Sequence, residues 1–130
     1  MKHTLLLIAL SVSFQAFAQE PPRQTFHANG RLESTQFTQN GTDRFITYYE
    51  SGRVKEMGAF LEGRKHGEWK QFAENGTILA QARFAQGHRI GTWEFRDGSN
   101  AVQGKLNYTD GRLVSGEQYQ AGELVAQRTY

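Results

Sequence analysis

The chain has 130 residues, a formal net charge of +2, 38% hydrophobic residues, fourteen glycines and no cysteine. A chain so short, sparse in apolar side chains and punctuated by glycine excludes a two-domain enzyme and a large α/β fold around a deep core. The absence of cysteine excludes disulfides, thiolate metal sites and a cysteine nucleophile.

Taken in chain order, Met1-Lys2-His3-Thr4 is a short basic start. Leu5 to Phe17 is an apolar run interrupted by Ser11, Ser13 and Gln15, and Ala16-Phe17-Ala18 is a small-x-small cleavage pattern. That three-part order predicts a signal peptide over residues 1–18. The run is shorter than the roughly 20 apolar residues of a spanning helix, so the cleaved chain is expected not to span a membrane. No cysteine follows the cleavage pattern, which rules out lipoprotein attachment there. The expected compartment is outside the cytoplasm, periplasmic or secreted. Residues 19–25, with Pro21-Pro22, read as a flexible linker, and residues 26–130 read as a single repeat domain.

Within that domain one spacing recurs. Gly52 and Gly76, Val54 and Ile78, Phe60 and Phe84, Gly63 and Gly87, Gly67 and Gly91, and Trp69 and Trp93 all fall 24 residues apart. The register continues to Val102, Tyr108 and Gly111, while Asn100 stands where a glycine is expected. Asparagine is the residue that best replaces glycine at positive φ. Degenerate outer units around a regular centre are the mark of a repeat array with caps.

Between the glycines the apolar pattern has period two. Ile78, Ala80, Ala82 and Phe84 share one face and Leu79, Gln81 and Arg83 the other; Val54 to Phe60 and Val102 to Tyr108 repeat the phase. Turn pairs punctuate the pattern at Asn29-Gly30, Asn40-Gly41, Ser51-Gly52, Asn75-Gly76, Asp97-Gly98 and Asp110-Gly111. Such pairs favour tight hairpins because those turns need positive φ. The predicted fold is all-β: an elongated, open antiparallel β-meander of repeated hairpins with a period of 24 residues, in a single sheet.

The stretch from Gly63 through Arg64, Lys65, His66, Gly67 and Trp69 to Phe72 and Gly76 resembles the variant MORN repeat (the MORN_2 type). Gly87 to Phe95, with Gly91 and Trp93, resembles it again. Weaker units extend the resemblance from about Phe26 to Tyr119. Proteins with this pattern are often grouped as YwqK-type antitoxins. The resemblance implies a hairpin-repeat fold and, more thinly, an immunity-like role. The last unit departs from the pattern, with Ser115 in place of the second glycine and Glu117 in place of tryptophan. The aromatic-rich hairpins are also similar to wall-binding repeats of the choline-binding type, although only Tyr48-Tyr49 forms the adjacent aromatic pair usual there.

Chemistry-bearing patterns are few. Neither His27, His66 nor His88 belongs to an HxH or HExxH spacing, so no metal site is expected. No serine sits in a Gly-x-Ser-x-Gly elbow, Gly63 to Gly67 lacks the Gly-Lys-Ser/Thr ending of a phosphate loop, and the acidic residues are dispersed. No enzyme activity and no cofactor are expected. Trp69, Trp93, Phe45, Phe72, Tyr48, Phe60, Phe84 and Tyr108 recur in phase and read as a hydrophobic ladder joining hairpins. Arg64, Lys65, His66, His88 and Arg89 read as basic loops between paired glycines, aligned along one edge and, with Tyr48 and Tyr49, the candidates for partner binding. The expected function is an exported, non-enzymatic protein-interaction module, with antitoxin or immunity action as the sharper form that the family resemblance implies. The alternative is a binder of cell-envelope glycan or lipid headgroup through aromatic clefts. Nucleic acid is not an expected partner of an exported chain.

Overall fold

A computed structural model describes residues 19–130; the expected signal peptide, residues 1–18, lies outside the described residues. Ten strands form one antiparallel sheet in strict chain order: β1 (Arg23–Phe26), β2 (Leu32–Gln39), β3 (Thr42–Tyr48), β4 (Val54–Leu61), β5 (Arg64–Phe72), β6 (Ile78–Ala85), β7 (His88–Arg96), β8 (Val102–Thr109), β9 (Arg112–Gln120) and β10 (Glu123–Thr129). No helix among the described residues is long and apolar enough to cross a membrane. The all-β open meander expected from the period-two pattern is the observed fold.

The hairpin turns come in two kinds, one at each margin of the sheet. At one margin, the loops 27–31, 49–53, 73–77 and 97–101 each close with paired backbone bonds, such as Tyr49 N–H to Arg53 O and Gly52 N–H to Tyr49 O, both 2.8 Å. Their positive-φ residue is Gly30, Gly52, Gly76 or Asn100. Asn100 thus does the work of the glycine it replaces, with φ 71, and Gly98 does not. At the opposite margin the turns have two residues, both at positive φ: Asn40-Gly41, Glu62-Gly63, Gln86-Gly87 and Asp110-Gly111. This is the type I′ geometry that matches strand twist. Ala121-Gly122, which turns β9 into β10, has the same two-residue geometry but lies at the first margin and is the exception there.

Several expectations need correction. Arg64, Lys65 and His66 begin β5, and His88 and Arg89 begin β7, so none of them is in a loop. The turns are Glu62-Gly63 and Gln86-Gly87, which lack the Asn or Asp that marks a I′ turn in sequence. The ordered sheet starts at Arg23, inside the segment expected as linker. β1 is exposed throughout and held by backbone pairing to β2 and a Thr25–Ser34 hydroxyl bond of 2.7 Å, which leaves no apolar pattern to read. The last unit completes its hairpin despite Ser115 and Glu117, because β9 and β10 pair from Glu123↔Gln120 to Thr129↔Ser115.

A single sheet buries little. Ala59, Trp69 and Tyr108 are the buried hydrophobic residues among those described, joined by Thr35, whose hydroxyl has no partner. The two faces differ. Cross-strand neighbours Lys70, Gln81, Glu94, Lys105 and Glu117 form a polar row on one face. Ion pairs lie there, Lys70–Glu68 at 3.4 Å, Lys105–Glu94 at 3.9 Å and Arg96–Glu94. The other face carries the aromatic ladder.

Candidate functional site on the aromatic face

Six rings follow one another across the ladder: Phe45, Phe60, Trp69, Phe84, Trp93 and Tyr108, with successive centroids 4.9 to 6.5 Å apart and mostly edge-to-face or tilted. Such pairs contribute about 0.5–1.5 kcal/mol each beyond area burial. Tyr48 and Phe72, expected in the ladder, are not in it. Register shifts between Thr47 and Tyr48 and between Gln71 and Phe72 take both out of phase.

A bulge seats each tryptophan. Met57 pairs with Lys70 and Ala59 with His66, so Gly67, Glu68 and Trp69 all face the single residue Gly58. Gly67 sits at φ 74, which only glycine adopts without strain in the middle of a strand. The indole then lies across the backbone of Gly58. A Cβ on Gly58 would fall 2.1 Å from the ring, and Trp69 Nε1 donates to Ala59 O at 3.1 Å. One repeat on, Gly91 sits at φ 67, Gly91 to Trp93 face Ala82, and Trp93 Nε1 donates to Arg83 O at 3.2 Å. The device is the same, but the floor is a methyl group rather than a bare backbone. Trp69 is 5% exposed, and Trp93 is only half-buried. In the third unit Glu117 replaces the tryptophan and Leu106 fills the floor, packed 3.2 Å from where a Cβ on Gly116 would lie.

Two of the basic candidates belong to this face. Lys65 Nζ lies 4.4 Å from the Trp69 ring and 5.3 Å from Phe84; Arg89 Cζ lies 5.5 Å from Trp93 and 5.7 Å from Tyr108. Both are exposed and occupy equivalent repeat positions two strands apart, which spaces them by about 9.5 Å. Arg64 instead packs along Gly87 of the next turn, His88 packs beside Gly111, and His66 Nδ1 accepts from Gln86 N–H at 3.2 Å. The structure therefore brings Lys65 and Arg89 onto the rings and spends Arg64, His66 and His88 on turn-to-turn packing.

Tyr48 and Tyr49 are elsewhere. They line a cleft of about 400 Å³ at the margin of loops 27–31, 49–53 and 73–77, with Lys55, Glu56, Phe72 and Leu79 among its walls. Tyr49 donates its hydroxyl to Phe72 O at 2.7 Å, and Lys55 Nζ lies 5.6 Å over the Tyr49 ring. His27 bonds Tyr48 O through Nε2 at 2.8 Å. The sequence offered no signal for Lys55, Glu33 or Glu56, since the cleft forms only when loops more than 20 residues apart stack. Gly58 did carry a signal, because a glycine inside a strand marks a close approach.

Two groups titrate away from their ordinary values. The Ser99 hydroxyl, then the Ala101 and Ser99 amides, hold the Asp97 carboxyl below the usual aspartate range. Donation to Glu117 pushes the Tyr119 phenol up. Among the described residues, no three His, Asp or Glu side chains gather closely enough to hold a metal ion.

The fold and its bulged tryptophans define an open hairpin-repeat protein. Residues 65–86, from Lys65 through β6, match a family model described as a MORN repeat variant. Two solved structures are similar to the chain at low identity. A mutant of S. aureus TarM in complex with fondaparinux, alpha-GlcNAc-glycerol and UDP is 8% identical, with a TM-score of 0.49 over 72% of this chain and 19% of that one. A second TarM structure is 10% identical, with a TM-score of 0.48 over 68% and 18%. The chain thus spans about a fifth of the length of these structures. No curated protein matches the chain.

Proposed function

We propose that this chain is an exported, non-enzymatic repeat module that binds another protein through the aromatic face. The observation that carries the reading is the ladder itself. No second layer covers it among the described residues, and Lys65 and Arg89 stand over it without a carboxylate partner. Aromatic and cationic anchors at the centre of a patch are what dominate interface energies. Two cations held in register favour an acidic partner surface. The antitoxin form rests on family resemblance, and an adjacent toxin-like reading frame would support it.

The test begins with capture of a partner from envelope extract by the exported chain. Lys65→Glu/Arg89→Glu and Trp93→Ala should each weaken that complex at least tenfold, the first mainly through a slower, salt-dependent association rate. Lys70→Glu/Lys105→Glu, on the polar face, should leave it intact. Equal loss from both faces would remove the assignment. Export is checked separately: intact mass of the secreted or periplasmic protein should correspond to a chain starting at Gln19.

A further inference from the structure

We infer that the cleft at Tyr48 and Tyr49 is a binding site for a neutral saccharide. It goes beyond the protein-binding function and uses none of the same residues. Its volume, about 400 Å³, lies within the roughly 300–1,000 Å³ of small-molecule sites.

The repeat supplies its own control. One period on, Tyr49 becomes Ala73, Lys55 becomes Leu79 and Glu56 becomes Ala80, while Glu33, on the strand after the preceding loop, is matched by Lys55. The backbone at these positions is equivalent: loops 49–53 and 73–77 close with the same bonds, and register shifts fall at Thr47/Tyr48 and Gln71/Phe72. The fold therefore needs no phenol at position 49 and no charge at 55 and 56, since the next unit forms the same hairpin with Ala73, Leu79 and Ala80. What the first unit adds is a polar and aromatic set facing one space.

Its chemistry fits a hydroxyl-rich, uncharged ligand. Tyr48, Tyr49 and Phe72 provide ring surface whose negative face attracts the polarised C–H groups of a pyranose. Glu56 is held in place by the Gln71 amide at 2.9 Å, which presents a fixed acceptor and donor side by side for vicinal hydroxyls. Glu33 and Thr47 add an acceptor and a hydroxyl that make no protein hydrogen bond among the described residues, and Lys55 adds a donor. Two carboxylates against one ammonium disfavour an anion. The Lys55 ammonium already lying over Tyr49 competes with a cation. A neutral sugar is not repelled by the carboxylates and can stack on Tyr48 and Phe72 while Lys55, over Tyr49, donates to its hydroxyls.

The probes are N-acetylglucosamine trimer, maltotriose, cellotriose and mannotriose, titrated calorimetrically into the full exported chain. At least one should bind the wild-type protein. Lys55→Leu/Glu56→Ala, which installs the next repeat's own residues, should bind it at least tenfold more weakly with an unchanged circular dichroism spectrum. Lys65→Glu/Arg89→Glu should bind it as the wild type does, which separates this site from the Lys65 and Arg89 patch on the same face. Absence of binding by all four probes, or equal affinity in the Lys55→Leu/Glu56→Ala protein, overturns the inference.

Discussion

The repeat around Trp69 and the repeat around Trp93 share a bulge, a positive-φ glycine and an indole bond to the carbonyl ten residues back. They differ in the floor residue, Gly58 against Ala82, and in their neighbours: Phe45, Phe60 and Phe84 lie against Trp69, and Phe84 and Tyr108 against Trp93. With no Cβ beneath it, the first indole drops against the sheet and is shut. With a methyl beneath it, the second rides higher and keeps part of its ring in solvent. The floor methyl and the missing third aromatic neighbour together turn one structural device into a packing site at Trp69 and a half-covered ring at Trp93.

The sharpest way to break this comparison is truncation. Trp69→Ala should cost about 3–5 kcal/mol of unfolding free energy, and Trp93→Ala about half of that, since less area is lost. Equal costs by chemical denaturation would mean that the two rings are equally buried. Exchanging the floors is the next test. Gly58→Ala drives a methyl into the indole and should destabilise by about 1–3 kcal/mol or more, while Ala82→Gly should cost only about 0.5–1 kcal/mol. Removing the cations should do less: Lys65→Gln and Arg89→Gln should each cost about 0.5–1 kcal/mol, with Lys65, the closer to its ring, at the upper end.

The smallest effect concerns pH. Asp97 anchors the loop after the second tryptophan, and the first repeat has Ala73 in its place. The folded state holds Asp97 below its ordinary value, so its contribution is complete above the usual aspartate range and fades as pH falls through the lowered value. Acid should shift the Ser99 and Ala101 amide resonances, which bond the carboxylate, and leave those of Gly76 and Thr77 unmoved.

How far the sequence carried these features follows from their range. The 24-residue period, the alternating pattern and the Asn-Gly and Asp-Gly pairs are local, and they were enough for the meander. The turns at Glu62-Gly63 and Gln86-Gly87 were not legible, because strand pairing on both sides forces Glu62 and Gln86 to φ near 50 against their own preference. That misreading placed Lys65 and Arg89 in loops and hid their position over the rings. The difference between Trp69 and Trp93 was likewise hidden, since it depends on a floor residue eleven positions upstream across a bulge. Tyr48 and Phe72 looked in phase with the ladder only because a register shift leaves no trace in spacing.

The central claim, that one tryptophan is closed and the other open, is tested most directly by 19F NMR of the protein labelled with 5-fluorotryptophan, assigned with Trp69→Phe and Trp93→Phe. The account predicts two resonances of which only that of Trp93 shows a clear solvent isotope shift and broadens with a soluble paramagnetic probe. Equal response of both resonances, or a larger response from Trp69, would contradict it.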